Sequence, residues 1–292
     1  MLHTFDSCHP AAGALYFAAV VVLGVMNMHP VFLGIGFAAA FSYALFLKGG
    51  KALRFGLLFV LPMFVVMALV NPMFNHRGMT ILFYTQYNPI TLESILYGIA
   101  AAVMLVTVVV WFQSYQEVMS SDKFLYLFGK LSPAVSLVIS MTLRLAPRLR
   151  DQIHVITAAQ RSIGRDASAG NLFARVRHGM AILSCLIGWA LENSIETADS
   201  MKARGYGLRG RTSFSLFRFT ARDAAVLAAE LACIGLCVAG MAGGAVAAQY
   251  YPYLKFSPPT PVFFAVAGAY AALCFLPLIL EAVELIKWKC FE

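Results

Sequence analysis

Two short runs carry residues that could grip a partner. Ala158-Ala159-Gln160-Arg161-Ser162-Ile163-Gly164 and Met201-Lys202-Ala203-Arg204-Gly205-Tyr206-Gly207 both read arginine, small residue, any residue, glycine, with the arginines 43 positions apart. A glycine just past a helix end stops the helix through a left-handed cap, and a cation in the last turn is favoured by the helix dipole. A guanidinium on such an end is suited to bidentate capture by a carboxylate in another protein's groove. The same features also describe two well-built helix C-termini with no further role. Their repetition favours a docking knob used twice, built on Arg161, Ser162 and Gly164 at one end and on Ala203, Arg204, Gly205 and Gly207 at the other.

Other chemistry is thinly supplied. No G-x-x-x-x-G-K-[ST] occurs, and Gly129-Lys130 lacks both the earlier glycine and the following Ser/Thr, so ATP phosphates are not cradled in that manner. His3, His9, His29, His76, His154 and His178 are scattered without H-x-x-x-H spacing. Cys8, Cys185, Cys233, Cys237, Cys274 and Cys290 include no C-x-x-C, so neither a metal site nor a cofactor is expected. Cys233 and Cys237 share a helical face and read as small packing residues. Glu230 is the single candidate ion relay within an apolar stretch, and reads more simply as an interfacial residue or a buried, hydrogen-bonded acid. The run from Asn71 to Gly78 could form a lid or a re-entrant turn, although a plain connector is simpler. Arg209, Arg211, Arg218 and Arg222 adjoin an apolar span, so they read as orientation signal or headgroup contacts rather than a nucleic-acid surface.

The elements that must position the two arginines follow from composition. Of 292 residues, 60% are hydrophobic and 12% charged, about half the charge of a soluble domain. That deficit excludes a disordered tail, a disulfide-stapled secreted module and an ordinary soluble enzyme, and leaves a surface that faces lipid. Six apolar helices are expected, at about 11–26, 31–47, 55–70, 92–112, 224–249 and 262–280. Asn27-Met28-His29-Pro30 divides the first two, Asn71-Pro72 ends the third, and a proline-rich run from Ser257 to Pro261 precedes the sixth.

The net charge of +8 is concentrated, because thirteen Lys+Arg and five Asp+Glu fall between Arg144 and Arg222 while the remainder balances at nine and nine. With Lys48, Lys51, Arg54, Lys287 and Lys289, this puts the basic loops on one side, the cytoplasm, together with both termini. His3-Thr4-Phe5-Asp6 is not a basic n-region, so no signal peptide is expected.

About a hundred residues between the fourth and fifth spans read as amphipathic helices rather than a soluble domain. A short helix near Asp122–Lys130 precedes two long ones, near Ser132–Ser162 and Leu172–Arg204, joined by a polar turn from Gly164 to Gly170. Leu145, Leu149, Ile153 and Ile156 form one apolar stripe, apart from Arg144, Arg148 and Asp151. Leu183, Ile187, Ala190, Ser194, Ala198 and Met201 form another, with Glu192, Glu196 and Asp199 elsewhere on that helix, where they could pair with Arg144, Arg148 or Arg150. Such helices could also lie on anionic headgroups.

Ala203-Arg204-Gly205-Tyr206, the upstream Gln160-Arg161-Ser162, Arg144-Leu145-Ala146-Pro147, the His9-Pro10 opening and the order of spans resemble the transmembrane T component of energy-coupling factor (ECF) transporters, the family that includes EcfT and CbiQ. The resemblance implies that two long cytoplasmic coupling helices each end in an Ala-Arg-Gly-like triplet whose arginine docks in a groove of one ABC-type ATPase. It also implies that the same helices hold a small substrate-binding membrane protein, the S component. Arg204 matches its triplet in full. The first triplet keeps only the arginine, and Ile163 stands where many members carry a further Arg, so Arg161 is chosen by internal alignment with Arg165 as the alternative.

The resulting expectation is an all-α integral membrane protein with about six transmembrane helices and long amphipathic coupling helices. Four spans would occupy 1–114, the coupling region 115–221 and two spans 222–292. Its role would be that of a non-catalytic scaffold in the cell membrane of a prokaryote. Its partners would be two ATPases, which bind the ATP and Mg, an S component for a vitamin or transition metal, and the lipid bilayer, but no nucleic acid. The stripe from Leu183 to Met201 would contact the S component or the other coupling helix. An ion-coupled secondary transporter, a permease of another ABC class and an intramembrane enzyme are the rival readings.

Overall fold

The computed structural model describes residues 5, 8–75, 77–85, 88–165, 171–206, 208, 217 and 219–291. Contacts divide the chain into two units: residues 1–124 with 217–292, and residues 125–216.

The first unit holds the apolar helices α1 (Pro10–Met26), α2 (Pro30–Lys48), α3 (Gly50–Phe55), α4 (Leu61–Phe74), α5 (Leu92–Val118), α9 (Ala221–Ala242) and α10 (Pro261–Phe291). A π-helical turn, Gly56–Val60, joins α3 to α4, so Gly50–Phe74 is one continuous rod. By length and composition five of these helices can cross a bilayer, while α1, at 17 residues, is shorter. Among the described residues the fold is all-α apart from two short antiparallel hairpins, β1 (Ile81–Thr85) with β2 (Asn88–Thr91) and β3 (Ala248–Gln249) with β4 (Lys255–Phe256).

Prolines at the first turn start α1, α2 and α10, where a missing N–H costs nothing. The imidazoles of His9 and His29 cap α1 and α2 by accepting from the N–H groups of Ala11 and Val31. Three expected boundaries move. Pro72 lies inside α4 rather than ending it, and α10 runs on to Phe291 rather than stopping near 280. The expected fifth span stops at Ala242 instead of Gln249, because Gly243 and Gly244 follow and Gly244 takes φ 72°.

α5 packs against α1, α2 and α4, and α10 packs against α2 and α9. Trp111 of α5 is fully buried, with ring centroids 5.9 Å from Tyr16, 6.1 Å from Phe17 and 6.1 Å from Tyr43. The Tyr16 hydroxyl donates to the Cys274 carbonyl at 2.9 Å, tying α1 to α10. Helices approach closely where side chains are absent: a methyl built on Gly240 of α9 would overlap Val266 of α10.

The polar contacts sort to two ends. At one, Lys48 pairs with Glu117 at 3.0 Å, Arg222 with Glu284 at 3.2 Å, and the His9 N–H donates to Asp223 at 2.9 Å. Asp223 also completes a capping box with Thr220 at the start of α9. At the other end, the Tyr250 hydroxyl donates to the Met28 carbonyl at 2.8 Å and Asn75 bonds the Tyr251 hydroxyl at 3.0 Å. Half of the expected Asn71–Gly78 connector is therefore helix, since Asn71–Phe74 belong to α4 and Asn75 ties the helix end down; the β1–β2 hairpin that follows was not revealed by periodicity. Glu93 secures that hairpin by accepting from the Thr80 N–H and hydroxyl.

The close approach at Gly240 yields a prediction. Gly240→Ala is expected to lower the midpoint of thermal unfolding in detergent by roughly 2–10 °C, through overpacking against a β-branched side chain with one allowed rotamer. Adding Val266→Ala is expected to recover part of the loss; an unshifted single variant would show that α9 and α10 do not meet there.

Candidate docking site

The second unit is built on α6 (Ser121–Leu131), which begins in the first unit, α7 (Pro133–Ser162) and α8 (Leu172–Ala203). α7 and α8 pack on one another as an antiparallel pair. Residues Leu137 to Arg148 of α7 face the C-terminal third of α8, and the chain from 163 to 171 connects the opposite ends.

The packed ridge differs from the expected stripes. On α7 it is Leu145, Leu149, Gln152 and Ile156, whereas Ile153 is 41% exposed. On α8 it is Ile182, Leu186, Ala190 and Asn193. Ala190 and Met201 are half-buried, while Leu183, Ile187, Ser194 and Ala198 are exposed. With Leu191 and Ile195 they leave an apolar strip of α8 that α7 does not cover. The expected cross-helix ion pairs are absent among the described residues: Asp199 bonds Lys202 on its own helix at 3.7 Å, and neither Arg144 nor Arg148 reaches a carboxylate.

Both long helices terminate in the same device. In α7 the Gly164 N–H donates to the Arg161 carbonyl at 3.0 Å and the Arg165 N–H to the Gln160 carbonyl at 2.9 Å. In α8 the Gly205 N–H donates to Lys202 at 3.0 Å and the Tyr206 N–H to Met201 at 3.0 Å. These are two Schellman motifs, with Gly164 at φ 76° and Gly205 at φ 72° in the left-handed conformation that glycine adopts without strain. The Ser162 hydroxyl returns to the Ala158 carbonyl at 3.0 Å, and Ala203 is the last helical residue of α8.

The caps correct the internal alignment. Superposing the capping glycines matches Gly164 with Gly205, so Arg161 corresponds to Lys202 and Ile163 to Arg204. Aligning on the arginines had instead paired Gly164 with Gly207, which lies outside the described residues, as do Asp166–Gly170, Arg209, Arg211, Arg218, His3 and His76. Each end nonetheless displays two exposed cations, Arg161 with Arg165 and Lys202 with Arg204. The ends are well separated: Arg204 lies beside the Leu137–Arg148 stretch, and Arg161 is about 20–36 Å further along α7 at 1.5 Å per residue.

Between the α7 and α8 walls runs an open groove of about 990 Å³, with Arg144, Arg148, Lys202 and Arg204 on its rim. Spacing arguments missed it, although the short α7–α8 turn was a signal that these two stretches would meet.

Among the described residues no group of three or more His, Cys, Asp and Glu is placed to hold a metal. Burial pushes the Cys8 thiol up, away from nucleophilic use. Glu230 is wholly buried, and neither carboxyl oxygen has a hydrogen-bond partner. Among the described residues no donor reaches this acid, so the hydrogen-bonded reading is corrected.

No family model matches the chain. It is 37% identical over 103 residues to the energy-coupling factor transporter transmembrane protein EcfT of Lactobacillus helveticus, covering 35% of this chain and 37% of that protein. It is 33% identical over 111 residues to EcfT of Exiguobacterium sibiricum, covering 38% and 42%. With EcfT of Staphylococcus aureus it shares 28% over 173 residues, covering 55% and 64%. These matches support the EcfT family. In each case the matched stretch spans less than two thirds of the EcfT relative's own length. The EcfT likeness agrees with the apolar helices in giving a multi-pass membrane protein related to a transport component.

Two predictions follow from this geometry. Gly205→Ala puts a Cβ in the left-handed region at a cost of about 1–2 kcal/mol, so amide exchange at Gly205 and Tyr206 is expected to accelerate roughly 5–30-fold; unchanged exchange would mean that the cap does not hold the last turn. Glu230→Met removes an unpartnered buried carboxyl and is expected to raise the unfolding midpoint by about 2–6 °C. A lower midpoint would reveal a partner for that carboxyl.

Proposed function

We propose that this chain is the transmembrane scaffold, or T component, of an ECF-type ABC importer. In this reading two partner ATPases bind ATP and Mg, and their hydrolysis drives micronutrient uptake, of a vitamin or a transition metal, through a substrate-binding S component. The chain does no bond chemistry itself. It sits in the cell membrane of a prokaryote, with α7, α8 and both termini in the cytoplasm, the side assigned by its basic residues.

The observation that carries this reading is the pair of identically capped, doubly cationic helix ends on one antiparallel hairpin. Because the ends are far apart, each serves a different ATPase. Arg161 and Arg204 are the docking residues, with Arg165 and Lys202 beside them. Gly164 and Gly205 aim them, while Ser162 and Ala203 are small enough to let a groove close over the helix end. Gly207 is retained as a flanking residue. A guanidinium held by a capped helix loses little freedom on docking, and its planar fork suits a carboxylate pair.

When the ATPases close on ATP they move these ends relative to each other. The motion shifts the apolar strip of Leu183, Ile187, Ser194 and Ala198, which receives the S component; Ala190 and Met201 hold that strip against α7. The exposure of the strip supports this division of labour.

The test is co-purification with co-expressed ATPases in mild detergent. Losing one partner of a desolvated charge pair costs roughly 2–5 kcal/mol, so Arg204→Ala and Arg161→Ala are each expected to weaken ATPase retention by at least about 30-fold. The double variant is expected to come out alone. Retention of both ATPases by the double variant would remove these arginines from the docking role.

A further inference from the structure

We propose that the groove between α7 and α8 is a headgroup site for an anionic phospholipid. The groove has two chemical characters. Its α7 wall carries Arg144 and Arg148, four residues apart and so on one face of the helix, both exposed and, among the described residues, neither in an ion pair. Lys202 of α8, which pairs with Asp199, adds a further cation, and among the described residues Glu196 is the only acid that lines the space. The groove is therefore strongly positive.

Its floor is apolar, formed by the half-buried Leu137, Met141 and Leu145 of α7 and Met201 of α8. The hydroxyls of Ser140, Thr197 and Ser200 also line the space, and are suited to phosphate and glycerol oxygens. An amphiphile uses all three kinds of group at once, with phosphate on the arginines, glycerol on the hydroxyls and the start of an acyl chain on the floor. A free phosphate leaves most of about 990 Å³ unfilled. An acidic peptide uses the charges and leaves the apolar floor wet.

Connectivity favours the same occupant. The groove is formed by the N-terminal half of α7, which the chain joins to the apolar helix α5 through α6, and by the C-terminal end of α8, which it joins to the apolar helix α9. Cationic side chains on amphipathic helices next to membrane spans each add about 1 kcal/mol of attraction to an anionic surface. Arg204, assigned above to ATPase docking, is left out of the lipid site, which rests on Arg144 and Arg148.

The experiment uses the full chain alone in mild detergent, with native mass spectrometry after titration with phosphatidylglycerol or phosphatidylcholine. The wild type is expected to retain one phosphatidylglycerol in preference to phosphatidylcholine. Arg144→Gln with Arg148→Gln is expected to weaken phosphatidylglycerol binding roughly 30-fold, while the lysine pair at those positions keeps most of it. Arg150→Gln with Arg177→Gln, which removes the same charge outside the groove, is expected to leave binding unchanged.

In the wild type, phosphatidylglycerol is expected to protect Arg144 and Arg148 from phenylglyoxal, a readout that does not require a variant to fold. Equal retention of the two lipids, equal loss in the Arg150/Arg177 pair, or no protection would overturn the site. So would intact lipid preference in a groove variant that has lost a co-expressed acidic protein, because the groove would then belong to that protein.

Discussion

The packing of α7 against α8 is the constraint on which the rest of the candidate site depends. Leu145, Leu149 and Ile156 supply one ridge, and Ile182, Leu186 and Ala190 the other. That contact makes the helices antiparallel and sends their C-termini in opposite directions. It also spends the apolar surface of one face of α8 and leaves another uncovered. A left-handed glycine after each helix then fixes where the cations stand. If the ridge were shifted by one residue, the exposed strip and the groove would rotate by about 100° on a 3.6-residue helix.

The apolar unit obeys a different rule. Its few charged and hydrogen-bonding groups gather at the two ends of the helices, where Lys48–Glu117 and Arg222–Glu284 close one end and the Tyr250 and Tyr251 hydroxyls close the other. Between the ends, aromatic edges around Trp111 and bare glycine contacts do the packing. Glu230 is the exception, a buried carboxyl without a donor, and the cost of such a group is what makes it worth replacing.

Much of this was legible in the sequence, and the misses have physical causes. The apolar runs, the proline and asparagine breaks and the concentration of basic residues predicted the helices and their order, because hydropathy over 20 residues averages out local ambiguity. A boundary moved where the helix continued through an expected breaker, as at Pro72. The stripes were right in period but rotated: Ile153 and Leu183 are as apolar as their neighbours, and only the partner helix decides which is covered. The caps put Gly164 opposite Gly205 and so offset the two arginines by two positions, because residue identity alone does not say where a helix ends and which glycine caps it. The groove and the unpartnered Glu230 depend on contacts between distant segments, which no local pattern carries.

The proposed reading makes this chain a scaffold whose two capped helix ends act as separate contact points for ATPases. Native mass measurement of the wild-type chain purified with co-expressed ATPases tests that claim most directly. The account predicts two ATPase subunits for each chain. A complex with a single ATPase, or a chain that travels alone, would contradict it.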